Sequence, residues 1–314
     1  MAKIVVTGSY ITDIAAITSR FPRDGETVIG ETVKIGPGGK GSNQATACKR
    51  LGAEVVLITK TGNDYLRNVA LNHYKNENMS DKYVFVDEEN QTGVAIIQIH
   101  KSSAENRILV TPGANNHITE EDVYKAEEEF KTCDIVLLQL EASMESVRAS
   151  INLAKKYNKT VVLNPAPVKE LDDEMFGLID YFTPNETEAE FYSGLKADSI
   201  QNIEKMAELF IAKGVGNVII TLGKAGAFVK TRDAACIIPA YTVNAVDTTG
   251  AGDAFNGGFC VALAEGKGIV EAARFANAVA ALSVTKLGAS ESMPDRLDVD
   301  SFLKNRLCKL NMKK

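Results

Sequence analysis

Residues 134–163 contain Asp134-Ile135-Val136-Leu137-Leu138-Gln139, a helical segment over 144–157, and then Thr160-Val161-Val162-Leu163. The order strand, helix, strand decides the fold, because it repeats on both sides. Upstream, a helix is predicted over 120–131. Downstream, a short strand over 181–183 is followed by a helix over 200–213 and a strand over 217–221. Such alternation predicts an α/β fold: a doubly wound, mostly parallel sheet with helices on both faces. Residues 227–229 and 235–239 read as an antiparallel hairpin near the sheet edge. Helices over 254–264 and 269–287, and a polar tail helix near 298–307, complete the C-terminal part.

Toward the N-terminus, residues 3–8 form a β-branched run ending in glycine, a buried first strand, and 9–13 read as a polar turn. Residues 26–35 alternate as a strand with one solvated face. A glycine-rich loop, Gly36-Pro37-Gly38-Gly39-Lys40-Gly41-Ser42-Asn43-Gln44, opens a helix over 43–51, and a strand over 54–59 leads to Gly62-Asn63-Asp64. Two further exposed strands, 92–100 and 107–110, flank a polar turn at 101–106. With 26–35 they predict a small separate sheet. No repeat or linker divides the chain, so one domain over 1–314 is expected, with the small-sheet strands inserted within about 14–36 and 83–111.

The chain has 314 residues, 45% hydrophobic and 24% charged, with a formal charge of -6, which gives no draw toward nucleic acid or an anionic membrane. No segment approaches about 18 uninterrupted apolar residues, and a cytoplasmic location is expected. The five cysteines, Cys48, Cys133, Cys236, Cys260 and Cys308, contain no C-x-x-C pair and read as reduced, packed thiols. His73, His100 and His117 stand far apart without a catalytic context.

In an open parallel sheet, ligands bind beyond the carboxyl ends of the strands. Asp13, Glu141, Asn164, the group Asn185, Glu186 and Glu188, and Thr221-Leu222-Gly223 all fall at such ends. The stretch Val246-Asp247-Thr248-Thr249-Gly250-Ala251-Gly252-Asp253-Ala254-Phe255-Asn256-Gly257-Gly258 reads as a turn feeding a helix. Gly250, Ala251 and Gly252 leave backbone N–H groups open to an anion, and the helix dipole adds to the same spot. Asp253 beside that anion hole then reads either as a base that takes a hydroxyl proton or as the cap of the helix.

Gly36 to Gly41 matches G-x-G-x-x-G, but a dinucleotide site needs a buried strand before it and an acidic residue about 20 positions on. Here the preceding strand is amphipathic and the next ends in Thr59-Lys60-Thr61, so that reading is rejected. A P-loop motif is also missing. Asn185-Glu186-Thr187-Glu188 offers enough oxygens for an Mg–ATP site, and equally for a capping arrangement at a helix start.

Together these residues resemble the ribokinase-like (carbohydrate kinase) family. Its two signatures stand here as Gly38-Gly39-Lys40-Gly41-Ser42-Asn43-Gln44-Ala45 and Asp247-Thr248-Thr249-Gly250-Ala251-Gly252-Asp253-Ala254-Phe255. Gln139-Leu140-Glu141, Asn164-Pro165-Ala166-Pro167 and Thr183-Pro184-Asn185-Glu186-Thr187-Glu188 match between them. The resemblance implies an ATP-dependent sugar kinase that transfers the γ-phosphoryl group to the 5-hydroxyl of a pentose, D-ribose or 2-deoxy-D-ribose. It implies Asp253 as base and Gly250, Ala251 and Gly252 as the anion hole. Sugar contacts would come from Asp13, Gly39, Lys40, Asn43 and Glu141. Asn185 and Glu188 would serve the phosphates and magnesium, while Thr221, Gly223, Gly226, Gly252 and Asn277 would line the nucleotide site. A monovalent cation, expected to be potassium, maps to Asp247, Thr249, Ser283, Lys286, Gly288 and Ser292. The small sheet would be a lid over the sugar and the contact of a homodimer.

Members acting on ribose carry Asn two residues before the sugar-binding Asp; this chain has Ile11 there. An apolar residue at that place is similar to members acting on the deoxy sugar, so 2-deoxy-D-ribose is expected to be accepted at least as well as D-ribose. A sister kinase of fructose or a nucleoside stays open as the alternative. A non-catalytic sugar sensor would lack the base or the anion hole, and both are present.

Overall fold

The computed structural model describes residues 1–102 and 105–311, with side chains as far as residue 306. Positions 103 and 104 of the predicted turn lie outside the described residues, as does the side chain of Cys308. Among the described residues thirteen strands form two sheets. The strands are β1 (Lys3–Thr7), β2 (Ile11–Thr18), β3 (Thr32–Gly38), β4 (Glu54–Gly62), β5 (Val84–Asp87), β6 (Gly93–His100) and β7 (Asn106–Thr111). They continue as β8 (Ile135–Gln139), β9 (Thr160–Asn164), β10 (Tyr181–Phe182), β11 (Asn217–Thr221), β12 (Ala227–Lys230) and β13 (Ala235–Ile238).

The large sheet runs β13-β12-β11-β10-β9-β8-β1-β4-β5. It is parallel from β11 to β5, and β12 and β13 are an antiparallel edge. Alternation along β1 sends Ile4 and Val6 to one face and Val5 to the other, so both faces must be covered. Helices Lys40–Arg50, Ala251–Ala264 and Ile269–Ser283 cover the first face, and Met144–Lys156 and Ile200–Ala212 cover the second. The expected doubly wound α/β sheet is therefore what forms. Strand order reverses at β1, with β4 on one side and β8 on the other, which puts the topological switch point between β1 and β8.

The small sheet runs β3-β2-β6-β7. Register places Ile11 beside Gly38 and Gly93, and Asp13 beside Gly36 and Ala95. Ile11 and Asp13 therefore share one face. The opposite face carries Ile35, Ile96 and Leu109 in one register row and Val33 two residues along; these are 55%, 44%, 67% and 61% exposed.

Several boundaries differ from the sequence reading. Residues 9–13 are not a turn, since β2 begins at Ile11 and leaves Gly8, Ser9 and Tyr10 to bridge the sheets. The strand expected over 26–35 is β3, which begins only at Thr32, leaving 26–31 without strand structure, and continues through Gly36, Pro37 and Gly38 because β2 pairs with it there. Residues 84–87 join the large sheet beside β4, and helix Arg67–Asn76 precedes them. The helix expected over 120–131 is two, Glu120–Tyr124 and Glu127–Thr132. The helix expected to reach 287 ends at Ser283, and Asp247 accepts from the Gly288 amide beyond it. Among the described residues no helix is long and apolar enough to cross a membrane.

Candidate active site

The site is assembled across the switch point. Ser9 Oγ, in the link after β1, donates to Glu141 Oε2 at 2.5 Å, and the Lys40 backbone N–H donates to the same oxygen at 2.9 Å. Glu141 thus ties the end of β8 to the start of helix Lys40–Arg50. That helix is capped by Gly39 at φ 87, where a Cβ would stand 2.6 Å from the Ile11 nitrogen. A Cβ on Gly38 would fall 2.4 Å from Asp13 Oδ2. Glycine at both positions allows β3 and the helix start to pass close to β2.

Asp253 is the third residue of helix Ala251–Ala264, whose N-cap is Gly250 at φ 75. It therefore does not cap the helix. Its carboxylate is buried and accepts from Asn43 Nδ2 at Oδ2 and from Gln44 Nε2 at Oδ1, both at 2.9 Å. Ser290 Oγ donates to Asn43 Oδ1 at 2.5 Å and fixes which way that amide points. Gly252 is exposed, and a Cβ there would meet nothing within 4 Å, so the first helical turn opens on free space. Amides in a first turn lack intrahelical acceptors and attract anions.

Lys40, Asn164, Thr183, Asn185, Glu188, Thr221, Thr248, Gly250, Ala251, Gly252, Asp253 and Asn256 line one cleft. Its charges are strongly coupled. Burial, then the neighbouring Glu141 and Asp253, pushes the Asp13 carboxyl up to about 7. Burial also raises Asp253, opposed by Lys40 and the two amides. Burial lowers Lys40, but Asp253, Glu141 and Glu188 outweigh it and leave the ammonium above its ordinary range. Glu188 is raised by burial. Lys40 faces two carboxylates in the cleft, Asp253 and Glu188, with Asp13 and Glu141 close behind, and a polyanionic substrate would enter it more readily with a bound cation.

Other expected residues are placed as follows. Asn185 and Glu188 form a reciprocal capping box: Asn185 N and Nδ2 donate to the Glu188 carboxylate at 2.8 and 2.9 Å, and Glu188 N donates back to Asn185 Oδ1 at 2.8 Å. Both also border the cleft, so capping and an opening to ligand coexist. Thr221 lies at the mouth. Gly223, at φ 50, is exposed and unobstructed, whereas Gly226, at φ 106, is wedged against the Ile238 carbonyl. Asn277 donates to the Ile238 and Pro239 carbonyls at 3.0 and 3.2 Å, which holds the end of β13. Asp247 accepts from Thr249 N, Thr249 Oγ1 and Gly288 N. The Ser283 and Ser292 hydroxyls donate to the Ala280 and Ala289 carbonyls, and Lys286 is exposed. Among the described residues no group of three or more His, Cys, Asp or Glu side chains could hold a metal.

Of the polar chain behind Asp253, the sequence pointed only to Asn164, as a strand-end residue, and not to the connections. Gln44 Nε2 also donates to Asn164 Oδ1, Asn164 Nδ2 to the Thr183 carbonyl, Thr183 Oγ1 to Asn256 Oδ1, and Asn256 Nδ2 to the Gly252 carbonyl. The chain returns to the helix start it began from. Its sequence signal is faint: single polar side chains closing apolar strands or set within a helix of small residues.

The pfkB family carbohydrate kinase profile matches residues 1–296. Ribokinase of Haemophilus influenzae is 42% identical over 302 residues, covering 96% of this chain and 98% of that one. Deoxyribokinase of Salmonella typhi is 38% identical over 301 residues, with 96% and 98% covered. The structure of Arabidopsis thaliana ribokinase complexed with ribose and ATP has a TM-score of 0.89 at 30% identity, over 97% of this chain and 99% of that one. The chain belongs to the pfkB family of carbohydrate kinases.

Proposed function

We propose that this chain is an ATP-dependent kinase that phosphorylates the 5-hydroxyl of a pentose, D-ribose or 2-deoxy-D-ribose. The observation that carries the reading is Asp253, a desolvated carboxylate at an open helix N-terminus, held from behind by two amides. Relatives named ribokinase and deoxyribokinase at nearly full length support it. Asp253 takes the hydroxyl proton as that oxygen attacks the γ-phosphorus of ATP; the bond to the bridging oxygen breaks and ADP leaves. Backbone amides at Gly250, Ala251 and Gly252 hold charge on the transferring oxygens. Asp13, Gly39, Lys40, Asn43 and Glu141 bind the sugar, and Asn185, Thr221, Gly223, Gly226 and Asn277 serve the nucleotide.

Glu188 would hold magnesium, which would neutralise phosphate charge; an ion that keeps most of its waters needs only one or two carboxylates. A potassium ion is assigned to the loop of Asp247, Thr249, Ser283, Lys286, Gly288 and Ser292, several of them through backbone carbonyls, as the family resemblance implies. For the sugar, the finer reading is the deoxy form. Ile11 is 2% exposed, shares a face with Asp13, and packs so tightly on Gly93 that a Cβ there would meet its Cδ1 at 2.6 Å. The small sheet acts as a lid within the one domain, and its outer face, with Val33, Ile35, Ile96 and Leu109, is the homodimer contact. ADP release over ribose, 2-deoxyribose, fructose and adenosine, with and without potassium, tests the reading. Turnover of fructose or adenosine in preference to both pentoses would overturn it.

A further inference from the structure

Gln139 closes β8, whose other residues, Ile135, Val136, Leu137 and Leu138, are all apolar. It is fully buried, and its Nε2 donates to Gln44 Oε1 at 2.7 Å. Its own Oε1 has no partner. That oxygen packs on Gly8 so closely that a Cβ there would fall 2.1 Å from it. Burying an unpaired amide oxygen costs about 1–3 kcal/mol, a penalty an apolar residue of similar shape would avoid.

Gln44 shows what the amide accomplishes. Both protons of its Nε2 are committed, one to Asp253 Oδ1 at 2.9 Å and one to Asn164 Oδ1 at 3.1 Å. Asn164 cannot turn, because its Nδ2 donates to the Thr183 carbonyl at 3.0 Å. Reversing the Gln44 amide would set its carbonyl against the Asp253 carboxylate and the Asn164 carbonyl, and its NH2 against the NH2 of Gln139. Gln139 is thus the donor that fixes the polarity from the far side.

We propose that Gln139 is a positioning residue for phosphoryl transfer: by donating to Gln44, it holds that amide as a donor to Asp253 and sets the carboxylate's rotation toward the cleft. The inference rests on Asp253 being the base. With Oδ1 held through Gln44 and Oδ2 through Asn43, the carboxylate is restrained in rotation, and a sugar hydroxyl arrives at a carboxylate already oriented.

The experiment is steady-state kinetics with D-ribose and MgATP on Gln139→Met, Gln44→Met, the double variant and Asp253→Asn, with melting curves for each. In Gln139→Met, kcat should fall about 10- to 100-fold while KM for ATP stays within about two-fold. The substitution exchanges one orphaned oxygen for another, so Tm should stay within about 3 °C. The double variant should be no slower than Gln44→Met alone, since Gln139 acts through Gln44. Wild-type kcat in Gln139→Met, or losses that multiply in the double variant, would overturn the proposal. If the methionine is not accommodated, Gln139→Ala carries the same reading; failure of both to fold would make Gln139 a purely structural residue and end the proposal. Asp253→Asn separates the two levels. Retained turnover there removes the base assignment itself, whereas an inactive Asp253→Asn beside a wild-type Gln139→Met removes this inference alone.

Discussion

Asn43 donates to Asp253 Oδ2 at 2.9 Å, joining two helix starts that lie 210 residues apart. The bond makes one residue of the glycine-rich signature a partner of the carboxylate in the other. Replacing Asn43 by leucine removes a hydrogen bond to a charged group, worth about 1.5–3 kcal/mol. Steady-state kinetics should show kcat/KM for the sugar lowered by about 10- to 100-fold. An unchanged kcat/KM would mean that the carboxylate needs no help from this amide.

Asp253→Asn keeps the shape of the side chain and removes the proton acceptor. Phosphorylation should fall by about 10²- to 10⁴-fold while calorimetry still detects sugar binding. Turnover near the wild-type rate would refute the base assignment.

Asp13 supplies the pH dependence. Its folded pKa, pushed up to about 7 by burial and then by Glu141 and Asp253, lies well above that of an unfolded aspartate. Its contribution to the stability of the ligand-free protein is therefore fully present below about 4 and lost as pH rises through 7. Asp13→Asn should raise the ligand-free Tm at pH 8 relative to wild type, and the difference should shrink steadily toward pH 4. Sugar binding should show the opposite sense, with wild-type KM for the sugar falling between pH 6 and 8 as the carboxylate becomes a full acceptor. A Tm difference independent of pH would contradict the shift.

Ile11→Asn should restore a hydrogen-bonding group on the sugar face. The ratio of kcat/KM for 2-deoxy-D-ribose over D-ribose should drop by about 10-fold or more. A clear ribose preference in the parent that this variant leaves untouched would sink the idea that Ile11 selects the deoxy sugar.

Gly39→Ala would place a Cβ 2.6 Å from the Ile11 nitrogen at φ 87. Backbone strain of this kind costs about 1–3 kcal/mol before the clash is counted, so both Tm and sugar affinity should fall. Thermal melting and a sugar titration read the two effects separately.

The large sheet was legible because β8, β9 and β11 are apolar runs separated by helices of ordinary length. The small sheet was harder to delimit. Ile11, Thr12 and Asp13 look like a turn because Asp13 is charged, and only pairing with β3 and β6 makes them a strand. Strand β5 was missed because its identity depends on β4 lying alongside. At the site, the strand-end residues could be named from position, but the partners Asn43 to Asp253, Ser290 to Asn43 and Gln139 to Gln44 could not. Their separations of 210, 247 and 95 residues carry no periodic signal. The capping box at Asn185 and Glu188 was readable because it is local.

Gly8, Ser9 and Tyr10 are all that separates β1 from β2. The residues assigned to read the sugar's outer hydroxyls, Ile11 and Asp13, therefore belong to a strand that takes no part in the sheet carrying the phosphoryl-transfer machinery. That strand still reaches Asp253 in two ways, through the charge of Asp13 and through Gly39, which lies against Ile11 and caps the helix of Asn43 and Gln44. On this assignment, sugar choice and proton transfer sit on different sheets, joined by a three-residue link and by the mutual charge of Asp13 and Asp253.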